Sequence, residues 1–170
     1  MFSFLHGERV CTVYFFSGRY KSIQIPLTQE EKACLRKRKI RIAEVVRLTQ
    51  AEIVLLLEVS PMRAKEIHSF ATLQQLPSIG IRFVEDLHFM GIYCLEELRG
   101  KNPVALLDQY ERMKGAWYDP CLEDQFRLIV YFANGGALTK QWWDFTDARK
   151  AFRIKNGYPL DRPKIGAHTL

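Results

Sequence analysis

The chain has 170 residues, 48% of them hydrophobic and 12% aromatic, with 25 Lys and Arg against 19 Asp and Glu. That suits one compact domain or two very small ones with an ample core, and marks the chain as an ordinary soluble globule. The longest apolar runs, Ile53 to Leu57 and Leu128 to Ala133, are too short to span a bilayer, and no basic stretch precedes an apolar one at the amino terminus; membrane insertion and secretion are not expected, and a cytoplasmic location is.

Residues 1–27 differ from the rest. Val10 to Phe16 is rich in β-branched and aromatic residues, Ser17-Gly18 offers a turn, and Ile23 to Ile25 is short and apolar. This extension is expected to be either a small hairpin packed on the domain or a loose segment.

From Thr28 the pattern is helical. Thr28 with Glu31 and Thr49 with Glu52 form capping boxes, and Ser60-Pro61, Asn102-Pro103 and Asp119-Pro120 each place a capping side chain before a proline suited to the first helical position. Stops are expected at Gly91, Gly115, Gly135 and Gly157. Helices are therefore predicted at about 29–39, 42–47, 50–57, 61–73, 80–90, 94–99, 103–113, 120–134, 140–144 and 146–156, with no competing strand. Residues 28–164 are read as one domain, followed by a flexible tail at 165–170.

The predicted helices repeat. At a constant offset, Leu35, Ile40, Glu44 and Val46 correspond to Leu87, Ile92, Glu96 and Leu98, and Thr49 opens a helix about where Asn102 does. Two copies of one helical unit are expected, joined by Leu76-Pro77-Ser78-Ile79-Gly80-Ile81-Arg82, a tight apolar turn with helical sequence on both sides. This turn reads as a helix-hairpin-helix motif: a glycine lets the backbone turn without a Cβ clash, and the amides opening the next helix face outward, where the helix dipole favours an anion such as a nucleic-acid phosphate.

The hairpin is followed by Asp119-Pro120-Cys121-Leu122-Glu123-Asp124-Gln125-Phe126-Arg127 and Lys140-Gln141-Trp142-Trp143-Asp144-Phe145. In that order the three segments resemble the pathogenicity-locus family of helix-hairpin-helix proteins, which includes sequences named as mitomycin-resistance proteins. The similarity extends from about Thr28 to about Lys164. It implies an all-α, tandem helix-hairpin-helix bundle resembling sterile-alpha-motif domains, with an extra carboxy-terminal helical segment, and a link to DNA; it implies no reaction. In the family pattern Gly-Ile-Gly-x-Lys, Gly80 and a cation at Arg82 are kept, whereas Ser78 replaces the first glycine. A second family cysteine falls on Leu128 here, which undercuts a metal or redox role for Cys121.

Charge is unevenly distributed. Nine Lys and Arg stand against six Asp and Glu over residues 28–70, five against nine over 76–124, and seven against three over 140–164. A nucleic-acid surface is expected to draw on Lys32, Arg36, Lys37, Arg38, Lys39 and Arg41, with Arg149, Lys150, Arg153 and Lys155 as further candidates. The central hairpin contributes Ser78, Ile79, Gly80 and Arg82, although Glu85 and Asp86 one turn on oppose a polyanion. The turn in the first unit is electrostatically better, since Ser60 caps a helix carrying Arg63 and Lys65, and the stronger phosphate contact is expected there. Val59 and Met62 are assigned to the core. Binding through amides and cations at phosphates reads no sequence.

Trp117-Tyr118 and Trp142-Trp143-Asp144-Phe145 suit base stacking, but packing is the expected use. The four cysteines, Cys11, Cys34, Cys94 and Cys121, form no metal-ligand pair, and His6, His68, His88 and His168 are scattered. Asp119, Glu123, Asp124, Asp144 and Asp147 are the acidic residues from which a magnesium site would be built; helix capping accounts for Asp119 and solvated surface for the others. No enzyme, metal or cofactor is expected. The leading expectation is a sequence-independent DNA-binding accessory factor in DNA repair or processing; the alternative is a docking module in which the basic first unit pairs with the acidic second unit of another copy.

Overall fold

A computed structural model describes residues 21–169. Val10 to Phe16, Ser17-Gly18, Cys11 and His6 lie outside the described residues. The fold is all-α. Among the described residues there are seven α-helices: α1 (Gln29–Lys37), α2 (Gln50–Leu57), α3 (Pro61–Leu73), α4 (Ile81–Phe89), α5 (Pro103–Lys114), α6 (Cys121–Ala133) and α7 (Thr146–Asn156). Four 3-10 turns accompany them at Ile42–Arg47, Leu95–Leu98, Trp142–Phe145 and Ala167–Thr169.

Local chemistry sets the helix starts. Thr28 and Thr49 close both capping boxes, Ser60 accepts from the Arg63 N–H at 3.2 Å, and Asn102 accepts from Val104 at 2.9 Å. Asp119 accepts from the Cys121 N–H at 2.8 Å and so caps α6 from outside it. Each bond satisfies an amide that would otherwise lack an intrahelical partner.

The two units share their turn geometry as well as their spacing. At the end of α1 the N–H groups of Arg38, Lys39 and Ile40 donate to the carbonyls of Cys34, Arg36 and Leu35 at 3.2, 3.0 and 3.0 Å. At the end of α4 those of Met90, Gly91 and Ile92 donate to Asp86, His88 and Leu87 at 3.3, 2.9 and 2.9 Å. Both ends are the same 6→1 closure around a left-handed residue. In the second unit that residue is Gly91 at φ +76°, but in the first it is Lys39 at φ +58°. A side chain there crowds the backbone. Lys39→Gly is therefore expected to stabilise the fold by about 0.5–1 kcal/mol, read as a higher denaturant midpoint; a lower midpoint would show that the lysine side chain holds the turn in place.

α3 and α6 are the inner helices, buried around most of their circumference by Ala64, Ile67, Phe70, Ala71 and Leu73 in one and Phe126, Leu128, Ile129, Val130, Phe132 and Ala133 in the other. A single core joins the units, with the Phe70 ring of the first meeting the His88 ring of the second edge to face at 4.6 Å. Residues 21–27 run extended onto this core, alternate residues Ile23, Ile25 and Leu27 being buried. Gln74 fixes their register, accepting from the Gln24 N–H at 3.2 Å and donating to its carbonyl at 2.7 Å.

Beyond the second unit the chain folds back. The segment expected to be a flexible tail is tied down by backbone bonds: Trp117 N–H donates to Ile165 O and Ala167 N–H to Trp117 O, both at 2.8 Å. Met62, assigned to the core, is 47% exposed instead; it sits in the first turn of α3, ahead of the helix's buried stretch, while Val59 packs partly against the core.

Candidate nucleic-acid interface

The turn between α3 and α4 is built from apolar anchors. Leu76 and Ile79 are buried on either side of Pro77 and Ser78, and Ile79 N–H donates to Leu76 O at 3.4 Å. Ile79 therefore holds the turn to the core, and any anion contact from it must come through backbone. The left-handed residue is Ser78, at φ +58°; Gly80 is extended, at φ −105° and ψ 172°. The conformational freedom expected of Gly80 is thus required at Ser78, where the family pattern has its first glycine. Nor does the Ser78 hydroxyl cap amides: it donates to Gln141 Oε1 and ties the turn to the carboxy-terminal segment.

Gly80 does something else. It is the N-cap of α4, no side chain caps that helix, and a Cβ placed on Gly80 would meet nothing within 4 Å. The start of α4 thus has free space beside Gly80 and no capping side chain, with Arg82 exposed in its first turn. Of the two opposing carboxylates, Asp86 is turned inward: it accepts from Tyr110 Oη at 2.5 Å, and burial raises its pKa. Glu85 remains exposed.

The first unit is less available than its sequence promises. Ser60 is engaged with its own helix, and Arg63 donates to Glu31 at 2.8 and 3.0 Å, to Glu66 at 2.9 Å and to Pro26 O at 2.6 Å. With four of its five N–H donors engaged by three partners, the guanidinium has no free edge for a bidentate phosphate contact. Lys65 lies 3.6 Å from Glu97 and 4.6 Å from the Tyr93 ring centroid. By contrast Lys37, Arg38 and Lys39 are exposed at the end of α1, and none has an ion pair among the described residues; Arg41 pairs with Glu44 at 3.0 Å.

Two residues expected on a basic surface are turned to carboxylates instead. Arg149 donates to Asp124 at 3.0 Å, and Arg153 to Glu123 at 2.7 Å and Asp108 at 2.9 Å. Arg162 donates to both oxygens of Glu111 at 2.7 Å, and the Tyr158 ring contacts both Arg162 and Arg153, its centroid 3.6 and 4.2 Å from their guanidinium carbons. Glu111, Glu123 and Asp124 are fully buried, so the expectation that Glu123 and Asp124 are solvated surface is wrong. A buried carboxylate needs a partner, and the basic carboxy-terminal segment supplies it. The opposite charge surpluses of residues 76–124 and 140–164 were the sequence signal for this clamp.

The groups that suit chemistry are likewise engaged. His88 bonds Ser69 Oγ at 2.8 Å, and burial lowers its pKa to about 4. The Cys121 thiol is pushed up to about 11, chiefly by its hydrogen bond to Asp119, which keeps it protonated and weakly nucleophilic at neutral pH. Among the described residues Cys34 and Cys121 are free thiols, no group of three or more His, Cys, Asp or Glu could hold a metal ion, and no helix is long and apolar enough to cross a membrane.

The model of the pathogenicity-locus family (Cdd1) matches residues 66–151. The chain belongs to the pathogenicity-locus family. It is 33% identical over 89 residues to a mitomycin resistance protein, McrB, of Streptomyces lavendulae, a match covering 51% of this chain and 81% of that protein. No solved structure gives a significant match. The span shared with the pathogenicity-locus family runs from within α3 to within α7. It takes in the Ser78–Gly80 turn, the second unit and the Asp124–Arg149 pair, while Lys37, Arg38 and Lys39 lie outside it.

Proposed function

We propose that this pathogenicity-locus protein is a tandem helix-hairpin-helix protein that binds DNA through its phosphates, without reading sequence, as a cytoplasmic accessory factor in bacterial DNA repair or processing. The observation that carries the reading is the start of α4: five of the other helices are capped by a threonine, serine, asparagine or aspartate, whereas α4 opens on bare Gly80 with Arg82 beside it. Amides that no side chain caps, with a guanidinium beside them, suit a phosphate oxygen. Lys37, Arg38 and Lys39 supply a second exposed set of cations, whereas Ser60 and Arg63 are occupied by the fold itself. We assign no catalysis to the chain, since His88, Cys121 and the buried carboxylates Glu111, Glu123 and Asp124 are engaged by other residues.

The docking alternative loses its electrostatic basis. Glu111, Glu123 and Asp124 of the second unit face arginines of the same chain, and Asp86 is bonded to Tyr110, so little acidic surface is left for a second copy's basic unit.

The test is fluorescence anisotropy of labelled DNA with Gly80→Val and with Lys37/Arg38/Lys39→Ala. Gly80 is extended and unobstructed, so valine should leave the fold intact while its branched side chain screens the α4 amides. A loss of binding of about fivefold or more in each variant is expected, as 1 kcal/mol is worth roughly that factor. Full binding in a folded Gly80→Val protein would remove the turn from the interface.

A further inference from the structure

We propose that Trp143 is a stacking platform for an unpaired DNA base, which makes single-stranded or locally unpaired DNA the substrate class. The inference rests on the phosphate-binding reading above and adds a feature that reading does not use. Trp142 and Phe145 pack against the core as expected, but Trp143 between them is 56% exposed. Such a large aromatic surface in water is unusual for a residue whose neighbours are packed, and indole is well suited to stacking on a base of any identity.

The indole is also held in place. Trp142 meets it edge to face, with ring centroids 5.4 Å apart and planes at 81°. The 3-10 turn beneath it, Trp142–Phe145, is closed by Asp144 N–H to Gln141 O at 3.1 Å and Gln141 N–H to Asp144 Oδ2 at 2.9 Å. That second bond occupies the carboxylate nearest the indole; Asp147, one turn on, is exposed. Gln141 is the residue that receives the Ser78 hydroxyl, so the platform begins two residues from an atom bonded to the α3–α4 turn. Lys140, exposed and without an ion pair among the described residues, precedes it. An aromatic face with a lysine three residues before it and, through Gln141, a tie to the turn that leads into Arg82 of α4 meets both requirements of a single strand: a surface for the base and positive charge for the backbone. In a regular duplex the bases are already stacked and the indole gains nothing.

The experiment compares the full-length parent, Trp143→Ala and Trp143→Phe on labelled oligothymidylate and on a duplex of equal length at low salt. The exposed indole leaves the melting temperature unchanged in both variants. Trp143→Ala is expected to bind oligothymidylate about tenfold more weakly and the duplex within about twofold of the parent, with Trp143→Phe recovering most of the loss. Unchanged binding of Trp143→Ala to oligothymidylate, or an equal loss on both DNAs, overturns the stacking role and leaves the phosphate reading standing. A parent that binds neither DNA overturns both.

Discussion

Glu123→Ala is expected to cost about 3–5 kcal/mol of stability, the range for removing one partner of a buried ion pair. Glu123 is fully buried and accepts from Arg127 at 3.0 and 2.7 Å and from Arg153 at 2.7 Å. Alanine leaves two guanidinium groups facing a small void, with Asp108, Gly157 O and the Tyr158 and Phe152 rings left to Arg153. Against a total stability of about 5–15 kcal/mol, that is a large fraction, read as a lower urea midpoint at unchanged slope. The exposed pair between Arg41 and Glu44 is the internal control: Arg41→Ala should cost no more than about 0.5 kcal/mol. A Glu123→Ala loss as small as that would mean the carboxylate is hydrated in solution and the clamp is not closed. The expected damage concentrates on the contact of α6 with α7, so the first unit should lose amide protection last.

Acid should weaken the fold between about pH 6.5 and pH 4, before the paired carboxylates begin to protonate. His88 titrates near 4 in the folded protein because burial disfavours its charged form, against about 6.5 in the unfolded chain. The unfolded state therefore binds more protons in this window, and stability falls as pH falls through it. Above pH 6.5 the contribution is complete. Because the ring is only partly buried, solvent screening holds its contribution below the roughly 3 kcal/mol that such a shift would carry at full burial, and His68, also lowered by burial, acts in the same sense. Asp86 acts in the opposite sense, because its pKa is raised, and it blunts the acid end of the slope. The check is urea unfolding of the parent and of His88→Gln at several pH values. His88→Gln should flatten the profile; an unchanged profile would assign the loss to other groups. Glu31 and Asp119, both held below the usual carboxylate range by hydrogen bonds to Arg63 and Cys121 respectively, add their own loss only at lower pH.

These two effects lie in the part of the molecule that the sequence shows least. Helix starts were legible because a capping side chain and its amide are two or three residues apart, as with Thr28 and Glu31 or Asn102 and Val104. The repeat was legible because Leu35 and Leu87, or Val46 and Leu98, occupy equivalent buried places. Long-range pairing was not: Arg63 meets Glu31 across 32 residues, and Arg162 meets Glu111 across 51. The same limit turned Arg149 and Arg153 into apparent surface cations.

The α3–α4 turn was located correctly, but its mechanics were misassigned. A serine gives no local sign that it will adopt positive φ, and its bond to Gln141 spans 63 residues. Trp143 was grouped with Trp142 and Phe145 because three aromatics within four residues look alike in sequence; a 3-10 turn points them in different directions, and one faces solvent.

The central claim is that phosphates are the ligand, and salt dependence tests it most directly. Labelled single-stranded DNA and duplex DNA are titrated with the full-length protein across a series of salt concentrations. Binding through the exposed cations Lys37, Arg38, Lys39 and Arg82 predicts that log K falls linearly with log salt, with a slope of about −3 to −4 for four phosphates neutralised, and that base sequence makes little difference. No binding to either DNA at the lowest salt, or binding whose strength is independent of salt, would contradict the account.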